Sequence, residues 1–368
     1  VLTRDSVRAL SVLVVATPCP LIIATPLAVL SAINRAASLN IITKSGAAIE
    51  QASAVDTVVF DKTGTLTSGE PALSEIHIFA DDSASSYNPD TLLQAAAGVE
   101  LLSTHVLATA VVKAGRERGL SIAPAADFEE VPGTGVGGVV GGRRVLLGSH
   151  AFLESRGIAV NEAQRTERAC LSATGKTVAY IALDRTVAGL LIFEDKIRPE
   201  APEVIARLQR MGIRRLMMLT GDSAETARAV AAQAGLTEVR AHLQPEEKVE
   251  AVKTLAQAGT VMMVGDGIND APALATAEVG IAMGGYGAGI ATDAADIVIT
   301  VENVERVADT IAIGRRMVRI ARQGILFGIG VSLFFMVLAS LGFIRPAAGA
   351  LLQEALDLAT ILNALRAR

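Results

Sequence analysis

Charge and hydropathy divide this chain into stretches of different rhythm. From Ala9 to Asn34 no charged side chain interrupts the run containing SVLVVATPCPLIIATPLAVLSAI, and Arg8 and Arg35 bracket it. Roughly 20 apolar residues are enough to cross the hydrocarbon of a bilayer, so this run predicts a membrane-spanning helix. It is too long for the apolar part of a secretory leader and lacks a small-residue cleavage site followed by a mature domain. A second uncharged run, Gln323 to Ile344, predicts another span. The basic cluster RRMVRIAR that leads into it, Arg315 to Arg322, places that end on the cytosolic side. A third run, Pro346 to Leu365, predicts the last span although it carries Glu354 and Asp357.

Between these runs the pattern is that of soluble protein, and it changes twice. DTVVFDKTGTLTSGEP reads as a short apolar strand followed by a glycine-containing loop. From about Ala72 to Ile192, a polar, loop-like DDSASSYNPD leads into a helical LLQAAAGVELLSTHVLATAVVKAG and then into glycine-rich alternating strands. From Asp195 onward the rhythm becomes strand, turn, helix, in RRLMMLTGD, AETARAVAAQAG, VMMVGDGINDAPAL and VGIAM. That alternation predicts a parallel, doubly wound sheet. The expected organisation is a transmembrane helix at 1–35, an α/β Rossmann-like domain built from 36–71 and 193–312, an α+β domain inserted at 72–192, and two transmembrane helices at 313–368.

Composition changes this picture little. Apolar residues make up 51 % and charged ones 19 %, with no Trp, which agrees with membrane segments. The net charge of -5 offers no basic face and argues against nucleic acid as a partner. Two cysteines, Cys19 and Cys170, are too few for a disulfide framework and suit a reduced, cytosol-facing protein. The chain begins with Val1 and enters the apolar run almost at once, so the expectation is a fragment of a longer protein.

Candidate chemistry gathers at the strand ends, where open parallel sheets collect reactive groups. Asp61 follows TVVF, Asp222 stands in TGD after LMML, and Asp266 stands in GDGIND after VMMV. One such acid is usually a cap or a turn residue; three together point to a site. Thr220 and Lys248 add a hydroxyl and an ammonium suited to a tetrahedral anion. DKTGTLT, TGD, PEEK and GDGINDAPAL resemble the motifs of the P-type ATPases, ion pumps whose phosphorylation domain has the haloacid dehalogenase fold. The resemblance extends over essentially the whole chain. It implies that Asp61, within the motif Asp61, Lys62 and Thr63, attacks the γ-phosphate of ATP to form an aspartyl-phosphate. It further implies that Asp61, Asp266 and the Thr63 carbonyl hold Mg²⁺. Thr220, Gly221, Asp222 and Lys248 would surround the phosphoryl group, and Asn269 and Asp270 would order the metal and its loop.

The same resemblance makes the inserted domain a nucleotide-binding one. ELLSTHVLATA is similar to a helix bearing a Ser-x-His-Pro motif, with Val106 in place of the proline, which implies that Glu100 and His105 lie beside adenine. GTGVGG adds Gly133 and Gly135. This stretch satisfies G-x-G-x-x-G but precedes a strand-like VVGGRRVLLG rather than opening a helix, so it is not read as a dinucleotide fingerprint. ATGKT, Ala173 to Thr177, is rejected as a phosphate loop because Cys170 replaces the first glycine.

ATPCPLIIATP puts Cys19 between Pro18 and Pro20 inside the first apolar run. Prolines free helix carbonyls, and a thiolate is a soft ligand. Beside the phosphorylation motif this resembles the heavy-metal-transporting P-type ATPases. Counting back from Asn363 puts Glu354 where divalent-metal members carry a carboxylate, and Asp357 lies on the same helix face. The implied cargo held by Cys19, Glu354 and Asp357 is a divalent cation such as Zn²⁺, Cd²⁺, Co²⁺ or Mn²⁺. A lipid membrane, of a bacterial plasma-membrane kind with cytoplasmic soluble domains, is the implied surrounding. No Thr-Gly-Glu loop of the family's actuator is present. The alternatives are a membrane-tethered phosphatase of the haloacid dehalogenase type, a non-catalytic metal sensor, and an alkali or alkaline-earth pump, the last disfavoured by Cys19.

Overall fold

A computed structural model describes residues 6–17, 19–79, 87–103, 105–131, 133–174, 176–222, 224–267, 270–284 and 293–367. In chain order its elements are α1 (Ser6–Val15), α2 (Cys19–Ala37), β1 (Ile41–Thr43), α3 (Gly46–Ala54), β2 (Thr57–Asp61), β3 (Thr67–Ile78), α4 (Pro89–Glu100), α5 (Val106–Glu117), β4 (Ala126–Val131), β5 (Gly135–Val140), β6 (Arg143–Gly148), α6 (His150–Ser155), α7 (Glu162–Ala173), β7 (Thr177–Leu183), β8 (Thr186–Ile197), α8 (Ala201–Arg210), β9 (Arg215–Leu219), α9 (Ala224–Ala234), β10 (Glu238–Arg240), α10 (Pro245–Ala256), β11 (Val261–Gly265), α11 (Ala271–Thr276), β12 (Val279–Met283), β13 (Ile297–Ile299), α12 (Glu305–Ser340) and α13 (Pro346–Ala364). They form two compact units, one of 1–61, 200–217 and 245–368, the other of 62–199 and 218–244.

The first unit holds strands in the order β1-β13-β12-β11-β2-β9. β11 runs parallel to β2 and β12, and β12 parallel to β13, whereas the edge strand β1 is antiparallel. Every residue of β2, β11 and β12 is buried. That is why VVF, VMMV and VGIAM are continuous apolar runs: parallel strands covered on both faces have no polar side to present. α8 buries Ala201, Val204, Ile205 and Leu208, the stripe that a 3.6-residue period places on one face.

α12 is longer than its uncharged run: it begins at Glu305 and continues unbroken for 36 residues. Its first turns are fastened to soluble elements of this unit. Gly314 lies so close to α3 that an added Cβ would stand 2.5 Å from the Ile49 carbonyl oxygen. The Arg315 guanidinium donates to the carbonyls of Ser53, Val55 and Met211, which are among the otherwise unpaired groups where α3 and α8 end. Among the described residues α12 is the one helix whose length and composition suffice to cross a membrane; Ser6–Val15 and Ile22–Ala37 are shorter apolar helices.

The single span expected from Ala9 to Asn34 is instead two helices. α1 ends at Val15 and α2 begins at Cys19, with Thr17 Oγ1 donating to the Val14 carbonyl at the break. Pro18 and Pro20 are the cause, since proline supplies no N–H and disfavours helical geometry in the residue before it.

The second unit is an antiparallel six-stranded sheet of order β3-β8-β7-β6-β5-β4. β3 and β8 pair from Thr67 opposite Ile197 to Ile78 opposite Gly189, so this sheet reaches further along the chain than 72–192. One face is covered by α4 and α5 through Leu92, Leu93, Ala96 and Val111, and the other by α6 through Phe152 and Leu153. The pattern read as one helix over LLQAAAGVELLSTHVLATAVVKAG is also two. α4 ends at Glu100, and His105 caps α5, its Nδ1 accepting the Leu107 N–H at 3.2 Å. Most of DDSASSYNPD lies outside the described residues.

Candidate active site

β2 delivers Asp61 at its carboxyl end, where only 5 % of the residue is exposed. α10 opens on Pro245 with Glu246 and Glu247 in its first turn, a helix start favoured by proline geometry and by the dipole, and turns Lys248 inward. The Lys248 Nζ donates to Asp61 Oδ1 at 2.7 Å and to Asp270 Oδ1 at 2.6 Å. Asp270 stands at the N-cap of α11, yet its side chain makes no capping hydrogen bond because Lys248 takes it. Gly265 makes room: a Cβ there would meet Asp270 Oδ2 at 3.1 Å.

Burial, then the nearby Asp270, push the Asp61 carboxyl up to about 7, against the pull of Lys248; Asp266 adds to the rise. Burial alone would lower the Lys248 ammonium, but the attraction of Asp61 and the hydrogen bonds to Asp270 and Asp61 hold it above its ordinary value. The cluster therefore carries more negative charge than one ammonium neutralises, and its donors are hard oxygens of the kind Mg²⁺ takes. Among the described residues no three His, Cys, Asp or Glu side chains stand close enough together to hold a metal as they are, since Lys248 separates Asp61 from Asp270. Asn269 lies outside the described residues.

In the second unit, Lys62 pairs with Asp222, and the Asp222 N–H donates to Thr220 Oγ1 at 3.2 Å. Lys62 and Thr220 are buried, Asp222 is half-buried, and Thr63 and Gly221 are exposed. The turn after Lys62 needs Gly64 at φ 70°, and Gly69 has the same φ, where an added Cβ would stand 2.9 Å from the Gly64 Cα.

Two residues that the sequence reading passed over hold this turn. Asp195 accepts from Thr67 Oγ1 at 2.5 Å, Ser68 Oγ at 3.3 Å and the Gly69 N–H at 3.0 Å. Arg198, 8 % exposed, donates from Nε to the Thr65 carbonyl at 3.1 Å and from Nη2 to that of Gly64 at 3.4 Å. Their signal in the sequence was only the charged EDKIR ending an apolar strand. Arg198→Ala leaves buried carbonyls of the turn without their donor and is expected to cost about 2 kcal/mol. Chemical unfolding should read this as a shifted midpoint.

The sequence-predicted nucleotide residues come together in one cleft of this unit, with a volume of about 180 Å³. Glu100, His105, Gly133 and Gly135 all line it, with Val136, Leu147 and Phe193 supplying apolar wall. Gly133 has φ 72° with open space around its Cβ position, whereas a Cβ on Gly135 would meet Phe152 at 2.4 Å and the Leu147 carbonyl at 2.5 Å. The second glycine is thus explained by close packing within the unit. Burial pushes the Glu100 carboxyl up to about 7, opposed by a hydrogen bond from Ser103 and helped by Glu130, and Glu100 Oε2 has no hydrogen-bond partner among the described residues.

Because the fold raises this acid above its unfolded value of 4.5, the associated stability is full below about pH 4.5 and is lost as the pH climbs through about 7. Glu100→Gln is expected to flatten that part of the stability profile by up to about 3 kcal/mol. Melting of the two proteins from pH 4 to 8 checks it, and parallel curves would refute it.

The candidate transport residues are described only in part. Cys19 begins α2, and its side chain lies outside the described residues. On α13, Glu354 is exposed and Asp357 half-buried. Gln353, not singled out in the sequence, is the buried member of that turn: its Nε2 donates to the Thr17 carbonyl at 3.3 Å and contacts Asp357 Oδ1 at 3.5 Å. Its Oε1 has no partner among the described residues.

An aspartate presented by a parallel strand is thus held by a buried lysine that also binds a second aspartate. Residues 55–278 match the haloacid dehalogenase-like hydrolase family, and the chain belongs to it. Among the proteins it is similar to are heavy-metal P-type ATPases. It is 39 % identical over 365 residues to a zinc-exporting P-type ATPase of Mycobacterium marinum, covering 99 % of this chain and 49 % of that protein. It is 38 % identical over 366 residues to a manganese-exporting P-type ATPase of Mycobacterium tuberculosis, covering 99 % and 50 %. A solved zinc-transporting PIB-type ATPase in its E2.Pi state superposes with a TM-score of 0.81 at 35 % identity, covering 95 % of this chain and 56 % of that one. The chain thus spans about half the length of the curated relatives it matches.

Proposed function

We propose that this chain supplies the phosphorylation and nucleotide-binding machinery of an ATP-driven exporter of a divalent heavy-metal cation, working through an aspartyl-phosphate at Asp61. The observation that carries the reading is Asp61 buried at the end of β2 and bridged by Lys248 to Asp270. In the proposed step a carboxylate oxygen of Asp61 attacks the γ-phosphorus of ATP, the bond to the bridging oxygen of ADP breaks, and ADP leaves with that electron pair. Lys248 keeps the nucleophile oriented and neutralises charge as the phosphoryl group arrives. Asp61 and Asp266, with the Thr63 carbonyl, are the residues that would hold Mg²⁺, which when bound neutralises phosphoryl oxygens. Thr220 with Gly221, and Lys62 with Asp222, are assigned to phosphoryl binding and loop order, and Asn269 to the metal-bearing loop. Glu100, His105, Gly133 and Gly135 are assigned to the nucleotide.

Cargo selection is assigned to Cys19, Glu354 and Asp357 in a multi-pass arrangement with the soluble units in the cytoplasm. One thiolate with two carboxylates favours a borderline or hard divalent ion over copper(I). The test is acid-stable label from γ-labelled ATP, with its sensitivity to hydroxylamine, measured on the complete protein against a panel of Zn²⁺, Cd²⁺, Co²⁺, Mn²⁺ and Cu⁺. Hydroxylamine-labile label responding to one divalent metal supports the reading and names the cargo. ATP binding without label would favour a non-catalytic sensor. Unchanged metal response in Cys19→Ala and Glu354→Ala would remove those residues from the transport site.

A further inference from the structure

The cleft of the second unit is electrically lopsided. Glu100 and Glu130 both line it, and Glu130 accepts a hydrogen bond from Ser103 at 3.2 Å, so the end where α4 meets β4 is acidic. A triphosphate placed there would be repelled. Arg168, from α7, reaches the same cleft at β7 and is the one side chain with a permanent positive charge among its described lining residues. Its Nε donates to the Val178 carbonyl at 3.4 Å, and its guanidinium lies 5.7 Å from the centre of the Tyr180 ring. These contacts orient the fork without neutralising it.

The cations around it are paired: Arg165 with Glu154 at 2.5 Å, Arg156 with Glu129 at 3.0 Å, and Lys176 with Glu194 at 2.7 Å. Arg168 takes no carboxylate among the described residues. β5 and β6 lie between β4 and β7, so the acidic end and Arg168 are about 14 Å apart at the usual strand spacing. That separation matches an extended nucleotide, base at one end and phosphates at the other.

We propose that Arg168 is the phosphate-holding residue of the cleft, taking oxygens of the α- and β-phosphoryl groups of a nucleoside triphosphate whose base lies toward Glu100 and His105. The proposal rests on the nucleotide reading of this cleft. A guanidinium suits the role because its planar fork can hold two phosphoryl oxygens at once, which an ammonium cannot. The competing account is that Arg168 only covers Tyr180 with its aliphatic stem.

Equilibrium binding of ATP, ADP and adenosine to the full chain, at low and high salt, separates the two. For Arg168→Gln, ATP and ADP are expected to bind about tenfold to a hundredfold more weakly at low salt, with adenosine unchanged. The deficit should shrink as salt screens the charge, and Arg168→Lys should fall between. Equal weakening of ATP and adenosine, or no weakening, overturns the proposal. A native chain that binds neither ATP nor adenosine is a different result, which removes the nucleotide reading itself. α7 contributes no fully buried side chain, so the glutamine variant should melt with the native chain; if it melts early, the lysine variant carries the comparison.

Discussion

Asp61→Asn is expected to bind ATP as the native chain does and to form no acid-stable phosphoenzyme, a loss on the order of 10⁴-fold or more, as befits removal of a nucleophile. The amide has the shape of the carboxyl and can still accept from Lys248, so the loss is of chemistry and not of fold. Stability should move the other way. The native carboxyl is held near pH 7 by burial and by Asp270, so its ionised form is disfavoured in the folded chain relative to water. The stability linked to its proton is full below about pH 3.8 and is lost as the pH rises through about 7. The asparagine variant lacks that loss, and above pH 7 it should melt no lower than the native chain and up to several degrees higher. Label incorporation and thermal melting on one preparation check both halves. Native-level labelling would place the nucleophile elsewhere.

Lys248→Met is expected to be the most destabilising single change in the first unit. It leaves the Asp61 and Asp270 carboxylates facing each other, buried and without their shared cation, at a cost of about 3–5 kcal/mol. In a domain of this size that corresponds to roughly 10 °C in melting temperature. The sign of the pH dependence follows from the remaining acids. Without the ammonium, Asp61 loses the charge attraction and the hydrogen bond that favour its charged form, so the variant keeps its proton to higher pH and loses stability as the pH rises. The gap to the native chain should therefore be wide at pH 8 and narrow below pH 6. A gap independent of pH would show that packing of the lysine stem, and not charge, is what Lys248 contributes. Phosphorylation should fall with the substitution at every pH, because the carboxylate is no longer held in position for attack.

Several features were determined by the sequence alone. An apolar run ending in an acid is legible because a parallel strand buried on both faces must be continuously apolar, so the first charge after it marks the strand end and the crevice beyond. Asp61, Asp222 and Asp266 were found that way, and the alternating strands and helices of the C-terminal half followed from the same period. Glu100, His105, Gly133 and Gly135 were found by resemblance, and one cleft gathers all four.

Tertiary structure alone decided the partners. In sequence Asp270 is an ordinary helix cap; only the fold brings Lys248, 22 positions earlier, close enough to divert its carboxylate. Asp195 and Arg198 gained their role because β8 returns beside β3, a pairing across 128 positions that no local pattern records. Whether α4 and α5 are one helix or two was likewise beyond an apolar periodicity that continues through both, since the break depends on His105 turning back to cap the second. In the same way, charge pattern could number Arg165, Arg168 and Lys176 among the surface cations, but which of them takes no carboxylate among the described residues depends on where the neighbouring glutamates fall in space. Hydropathy reports how much a segment avoids water. Which groups meet inside is decided by chain closure over long separations, and that is the information a one-dimensional pattern does not contain.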